Sequence, residues 1–285
     1  MRQFQTIRCF MENWAQAGLW SCLQTVHAKE GQHARPIVAA ALGGAATQND
    51  FHWQGRVAQG SAIEIKGVNG NVRAEAAAGD QVEVVATKKS RRSNTESVRI
   101  QVVEHANGVT ICAVYPNSDG KRPNVCAPGK EGNMNVNNND VQVDFIVRVP
   151  TGVRFQGRTV NGEVEARSLG ADVEAYTVNG SIHVSTTGTA QASTVNGEIV
   201  ATMGRADWIE ALEFETVNGG ITLNLPATTS TELEAETLNG DISTEFSLNV
   251  QGRFSKRHIR GTIGSGGRQL WLKTVNGSIQ VNRAS

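Results

Sequence analysis

The sequence predicts an all-β chain, a single-stranded parallel β-solenoid of about seven rungs carrying an N-terminal β-sheet cap, and three observations point there. The hexapeptide Thr-Val-Asn-Gly-x-Ile/Val occurs at 159–164, 177–182, 194–199, 216–221 and 274–279. Thr237-Leu238-Asn239-Gly240-Asp241-Ile242 is a sixth copy with one conservative change. Self-similarity near 20 residues marks stacked short repeats, each too small to bury its own apolar face. The composition favours Gly, Val, Thr and Asn over Leu and Met, which suits pleated strands. Between copies, apolar and polar residues alternate with period two, so each strand has one buried face.

Taken in order, residues 1–50 read as a leader, either an export signal or a disordered extension. The run Ile37-Val38-Ala39-Ala40-Ala41-Leu42-Gly43-Gly44-Ala45-Ala46, ahead of polar Thr47 to Asp50, resembles the apolar core and small-residue end of a secretory signal, although it lies deep in the chain. Residues 51–150 read as the cap. Strand-like runs at 62–66, 82–87, 98–104, 109–115 and 141–149 are short, β-branched and bounded by Gly, Asn or Pro. Val68-Asn69-Gly70-Asn71-Val72 gives this segment an early corner without its Thr. A solenoid end needs such a cover, because an open terminal rung offers unpaired backbone to other chains.

Residues 151–285 form the repeat stack, with two strands per rung. Val164 and Ala166 alternate with glutamates, then Val173 and Ala175 do the same; Ile182 and Val184, Ile199 and Ala201, and Ile221 and Leu223 continue the pattern. Corner spacing from Asn161 runs 18, 17, 22, 21 and then 37 to Asn276. The long gap predicts a degenerate corner at Ile259-Arg260-Gly261-Thr262-Ile263, with His258 in the Thr position.

An Asn-Gly pair tolerates the positive φ of a sharp corner. In a stack, equivalent corners lie about 4.8 Å apart, so Asn69, Asn161, Asn179, Asn196, Asn218, Asn239 and Asn276 are expected to bond as a ladder of buried amides, with Asn276 at its end. Val160, Val178, Val195, Val217, Leu238, Ile259 and Val275 are expected to form a parallel column. Asn-Gly is also a strong hairpin signal, and an antiparallel meander would give a similar period. It would not explain why Thr-Val and Ile recur with it.

Cys112 and Cys126 stand 14 residues apart around a turn-rich segment and are well placed for a disulfide; two unpaired small hydrophobes are the alternative. A zinc site lacks the C-x-x-C spacing and nearby His pair it needs. Cys9 and Cys22 fall in the leader.

The corners, the run Val109 to Tyr115 before the cysteine loop, and Gly261-Thr262-Ile263-Gly264 before the last strands resemble the bacterial putative-adhesin family of exported β-solenoid proteins, over 51–285. That resemblance implies a periplasmic or secreted surface protein with no assigned catalysis.

Lys plus Arg equals Asp plus Glu at 27 each, so no global field draws nucleic acid, and no run of 18 apolar residues suggests a transmembrane span. The histidines, His27, His33, His52, His105, His183 and His258, lack metal spacing. The oxygen-rich run Asn133 to Asp140 lacks the ligand order of a calcium loop. The basic run Lys88-Lys89-Ser90-Arg91-Arg92 reads as a solvated face. The sequons at Asn179 and Asn276 coincide with corners. No catalytic, cofactor-binding or metal residues are therefore assigned.

These features predict a non-catalytic envelope or surface module whose partner is an unidentified envelope component or glycan. A carbohydrate-active β-helix enzyme, a lyase or hydrolase using outward acids such as Glu163, Glu165, Glu174 and Glu198, is the alternative; an accessory part of an envelope-stress response is a third.

Overall fold

The computed structural model describes residues 50–117, 123–250 and 255–284. The apolar run at 37–46 and Cys9, Cys22, His27 and His33 lie outside these residues. Apart from one 3-10 turn at Thr95–Ser97, the described elements are all strands. In chain order they are β1 (Asp50–Gly55), β2 (Ala62–Lys66), β3 (Val72–Ala76), β4 (Val82–Lys89), β5 (Arg99–His105), β6 (Gly108–Val114) and β7 (Gln142–Val149). Then follow β8 (Arg154–Arg158), β9 (Val164–Leu169), β10 (Val173–Tyr176), β11 (Ile182–Thr186), β12 (Ala190–Ser193), β13 (Ile199–Met203), β14 (Leu212–Glu215) and β15 (Ile221–Pro226). The chain closes with β16 (Thr231–Asn239), β17 (Ile242–Thr244), β18 (Leu248–Val250), β19 (His258–Ile263), β20 (Gln269–Asn276) and β21 (Ile279–Ala284).

These strands build two large, mostly parallel sheets. The 10-stranded sheet runs β1-β4-β7-β3-β9-β11-β13-β15-β21-β17, and the 11-stranded sheet runs β18-β19-β16-β20-β14-β12-β10-β8-β2-β6-β5. Successive hexapeptide copies pair in parallel, Val173 beside Ala190 and Ile182 beside Ile199, which a meander would not give. Alternation then drives the packing. Ile182, Ile199, Ile221 and Ile279 of one sheet and Phe155, Phe214, Leu270 and Leu272 of the other are at most 1% exposed, while their neighbours face water. Each such side chain contributes on the order of 1.5–3 kcal/mol by leaving water.

Antiparallel strands close both ends: β1 on β4 and β5 on β6 at one, β18 and β19 at the other. Both ends are also out of chain order. The β2–β3 pair lies between β6–β7 and β8–β9, which accounts for the 92 residues between neighbouring corners Asn69 and Asn161. The last pair, β20–β21, lies inside the stack between β14–β15 and β16–β17.

Two expectations are overturned by that closure. Residues 259–263 are not a corner: they belong to β19, which runs antiparallel to β16 with Arg260 beside Glu234, so Ile259 joins no valine column. An antiparallel strand has the same period-two pattern as a rung strand, so alternation alone could not separate them. Nor is Asn276 the end of the Asn series; Asn239 is.

Candidate functional site

Each repeated residue of the corner has a partner on the next rung. Asn161, Asn179, Asn196 and Asn218 each donate Nδ2–H to Oδ1 of the preceding Asn, starting from Asn69, at 2.8–2.9 Å. Asn276 donates to Asn218 at 2.7 Å and Asn239 to Asn276 at 2.8 Å. At the far end, Asn69 Nδ2 reaches the Val141 carbonyl at 3.5 Å. Asn161 to Asn276 are exposed rather than buried, so each bond carries the modest net value of about 0.5–1.5 kcal/mol and not a desolvation penalty. The threonines are the buried members. Thr159, Thr177, Thr194, Thr216, Thr274 and Thr237 are at most 3% exposed. Thr194 Oγ1, for example, donates to the Gly180 carbonyl at 2.9 Å.

Glycine is required here for a different reason than φ. Gly70 alone among the corner glycines has a positive φ, +122°. At Gly197 a Cβ would sit 2.1 Å from the Gly180 carbonyl oxygen, so the backbones stack too closely for any side chain. The valines beside them are half-buried, and Leu238 at the end is 60% exposed.

A second constellation lies on the outer face of the 11-stranded sheet. Cys112 and Cys126 are disulfide-bonded with Cα atoms 5.7 Å apart, and the chain after Cys126 lies against that face. Lys66 Nζ donates to the carbonyls of Ala127, of Gly129 at 2.7 Å and of Glu131 at 3.2 Å. Glu64, only 2% exposed, accepts from Gly129 N and Thr110 Oγ1 at 2.9 Å and from Arg158 Nε at 3.0 Å. Burial pushes the Lys66 ammonium below its usual range, although Glu64 opposes this. Arg158 also stacks on the Tyr176 ring, 4.2 Å from its centroid. The charges of this cluster are thus mutually satisfied and act as a fastening.

Further along the same face stands β14. Burial, and then the neighbouring Glu215 charge, push the Glu213 carboxyl up to about 7; burial raises Glu215 as well. A carboxyl near 7 is what a general acid needs, but an acid/base pair requires two groups pushed apart, and these are pushed the same way.

The acids noted from the sequence do not converge. Glu165 pairs with Arg73 at 2.6 Å and also with Arg167 on the 10-stranded sheet, while Glu174 lies on the other sheet 3.7 Å from Arg158. Glu163 and Glu198 follow corner glycines, and Glu198 is 3.9 Å from His183. His258 is 3.5 Å from Glu234, and His105 bonds Thr110 at 3.1 Å. Among the described residues no group of three His, Cys, Asp or Glu is set to hold a metal. In the oxygen-rich loop, Asp140 is held down to about 2 by hydrogen bonds from Ser93 and then from the Arg91 and Arg92 amides, so that loop and the basic run fasten each other. No helix among the described residues is long and apolar enough to cross a membrane.

The model of the Toastrack DUF4097 family matches residues 124–282, more than half of the chain. The chain belongs to that family. Among solved structures, this Toastrack chain is similar to a putative cell adhesion protein from Clostridium sporogenes, with 10% identity over 82% of this chain and 100% of that one and a TM-score of 0.43. It is similar to a putative adhesin from Bacteroides fragilis, with 13% identity over 84% of this chain and 98% of that one and a TM-score of 0.33. It is also similar to a putative lipid binding protein from Parabacteroides distasonis, with 10% identity over 84% and 98% and a TM-score of 0.28. Comparison with curated proteins gave no match.

Glu213 was not singled out from the sequence, because an outward Glu on a strand looks like any solvated face.

Proposed function

We propose that this protein is an exported, non-catalytic binding or scaffold module of the cell envelope or surface, adhesin-like in role. On this reading the stack is a single-stranded parallel solenoid of about seven corner-bearing rungs, with residues 51–150 as its cap and 1–50 as its leader. The observation that carries the reading is the Cys112–Cys126 disulfide, set in a half-buried charged fastening; such bonds form and persist in oxidising compartments. The corner supports it: the repeated Asn, Thr and Gly are used in contact with one another, leaving the outer sheet faces as rigid surfaces. Partners are an envelope component or a glycan.

A C-terminally tagged chain, fractionated and analysed by non-reducing mass spectrometry, tests this. Recovery from the envelope or medium with Cys112 and Cys126 joined is expected. Recovery from the cytoplasm with both thiols free would overturn the reading, as would turnover of a polysaccharide by the purified protein without any envelope binding.

A further inference from the structure

Eight Asn-Gly steps occur in the chain, and seven of them are corners. Such a step carries its own reactivity, because glycine has no side chain to shield its amide nitrogen, which lies one ring closure from the asparagine carboxamide. The ladder decides whether the two can meet. At six corners the glycine N–H donates to the asparagine carbonyl of the adjoining rung. Gly70 donates to Asn161, Gly162 to Asn179 and Gly180 to Asn196 at 2.9 Å, and Gly197 to Asn218, Gly219 to Asn276 and Gly277 to Asn239 at 3.0 Å. At the same six the asparagine Oδ1 accepts Nδ2–H from that adjoining rung. Asn239-Gly240 has no rung beyond it. Among the described residues nothing accepts from Gly240 N and nothing donates to Asn239 Oδ1, so the side chain keeps only its bond to Asn276 at 2.8 Å. Exposure does not separate the corners, since Asn161, Asn179, Asn196, Asn218 and Asn276 are exposed as Asn239 is. The eighth step, Asn107-Gly108, is a hairpin turn: Gly108 pairs with His105 in the β5–β6 ladder, and a Cβ there would lie 1.9 Å from the Ala62 carbonyl oxygen.

We infer that Asn239 is a site of spontaneous deamidation and that the ladder protects the other six corners from the same reaction. Gly240 N, its proton lost to hydroxide, attacks Asn239 Cγ. The new C–N bond closes a cyclic imide as the Cγ–Nδ2 bond breaks, and Nδ2 leaves as ammonia after taking a proton from water. Water then opens the imide. Hydrolysis of the Cγ–N bond restores the main chain with an aspartate, whereas hydrolysis of the other C–N bond leaves isoaspartate, with the chain routed through the side chain. At an inner corner the glycine N–H and the carboxamide must first leave their partners, so the reaction waits for the rung to open locally. Either product replaces the Nδ2–H donor with a carboxylate facing Asn276 Oδ1, and the outermost ladder bond is lost. Isoaspartate also lengthens the main chain beside Gly240, where a Cβ would already lie 2.0 Å from the Gly277 carbonyl oxygen. The β16–β17 rung therefore loosens with age while the inner rungs hold.

The full chain is incubated at mildly alkaline pH in heavy-oxygen water, which labels each hydrolysis, and every corner is followed by peptide-mapping mass spectrometry. Asn239 is expected to convert at least about tenfold faster than Asn161, Asn179, Asn196, Asn218 or Asn276, and faster still as pH rises. In denaturant the seven corners should convert at rates within roughly a few-fold of one another, because no rung is left to protect any of them. Asn276→Ala removes the last partner of the Asn239 side chain and should speed its conversion several-fold in the folded protein. Amide exchange at Ile242–Thr244 should be faster in the converted protein than in the unconverted one. A folded chain in which Asn239 converted no faster than the inner corners would overturn the inference. So would a lead of Asn239 that persisted undiminished in denaturant, since its cause would then be the neighbouring residues and not the ladder. Equal exchange at β17 in the two forms would overturn the loosening.

Discussion

The turns that lead from the 11-stranded to the 10-stranded sheet repeat Thr-Val-Asn-Gly, whereas the returning turns, 170–172, 187–189, 204–211 and 227–230, differ in length and sequence. Both sets link the same sheets and stack at the same spacing, so strand geometry cannot account for the contrast. Contact with self does. At the corner each Asn bonds the Asn, and each Thr the Gly carbonyl, of the same motif one rung away, so a change in one copy needs matching changes in its neighbours. On the returning edge each turn meets a different turn. Asp172 caps the Thr189 amide at 2.8 Å, and Ile209 accepts from Arg268 at 2.6 Å. Such edges are free to diverge, and the 204–211 turn has grown to carry a buried Trp208 and an Ile209 that is 79% exposed.

The largest effect expected from this contrast is at glycine. Gly197→Ala would place Cβ 2.1 Å from a backbone oxygen flanked on both sides by stacked rungs, and should cost about 4 kcal/mol by denaturant titration. Gly204→Ala on the returning edge meets its nearest atom at 2.7 Å, in a turn that can shift, and should cost about half as much. Equal losses would remove the distinction between the edges.

The next test concerns the place where the corner is missing. Between β6 and β7 the chain makes an excursion instead of a hexapeptide, and a covalent bond with a sequence separation of 14 fastens it. Cys112→Ser with Cys126→Ser should cost about 3 kcal/mol and speed amide exchange in 127–131 while sparing the central corners. Uniform exchange along the whole stack would contradict a local fastening.

A smaller effect sharpens the order of the ladder. Asn196→Ala breaks two side-chain bonds and should cost about 1–2 kcal/mol, and Asn276→Ala should match it because Asn276 is internal. Asn239→Ala breaks one and should cost about half that. If Asn276 behaved as the end and Asn239 as the interior, the rung order would be wrong.

The smallest is electrostatic and lies away from both edges. The Glu213 carboxyl has a raised folded-state value of about 7 against an ordinary 4.5. The folded state therefore keeps its proton longer than the unfolded state, and stability should fall as pH rises from 4.5 to 7. Glu213→Gln should flatten that fall, by about 1 kcal/mol once solvent screening of a half-exposed group is allowed for. A pH–stability curve unchanged by the substitution would mean that burial does not hold the proton on this carboxyl.

The same contrast explains what could be read from the residues. The corner was legible because identity repeated at Asn161, Asn179 and Asn196 has self-contact as its physical cause. The order of the last rungs was hidden, because Asn239 and Asn276 make the same bond whichever comes first in the chain. The Arg260 segment deceived because β19 alternates as a rung strand does. Glycine's role was misassigned to φ, since a sequence displays backbone freedom and backbone crowding by the same letter. Glu213 was obscured because an outward glutamate on a strand reads the same whether it is solvated or half-buried.

The inward position of β20–β21 has a consequence for how the molecule comes into being. Until β20 and β21 are made, β16 and β17 have no parallel neighbour on their inner side, and the ladder stops at Asn218. The β20–β21 pair is thus the keystone rather than the finial: a nascent chain threading out of the ribosome or through a translocon reaches its stable form only when that pair is free to insert, and a product terminated before Gln269 carries a gap in its middle that quality-control proteases can recognise.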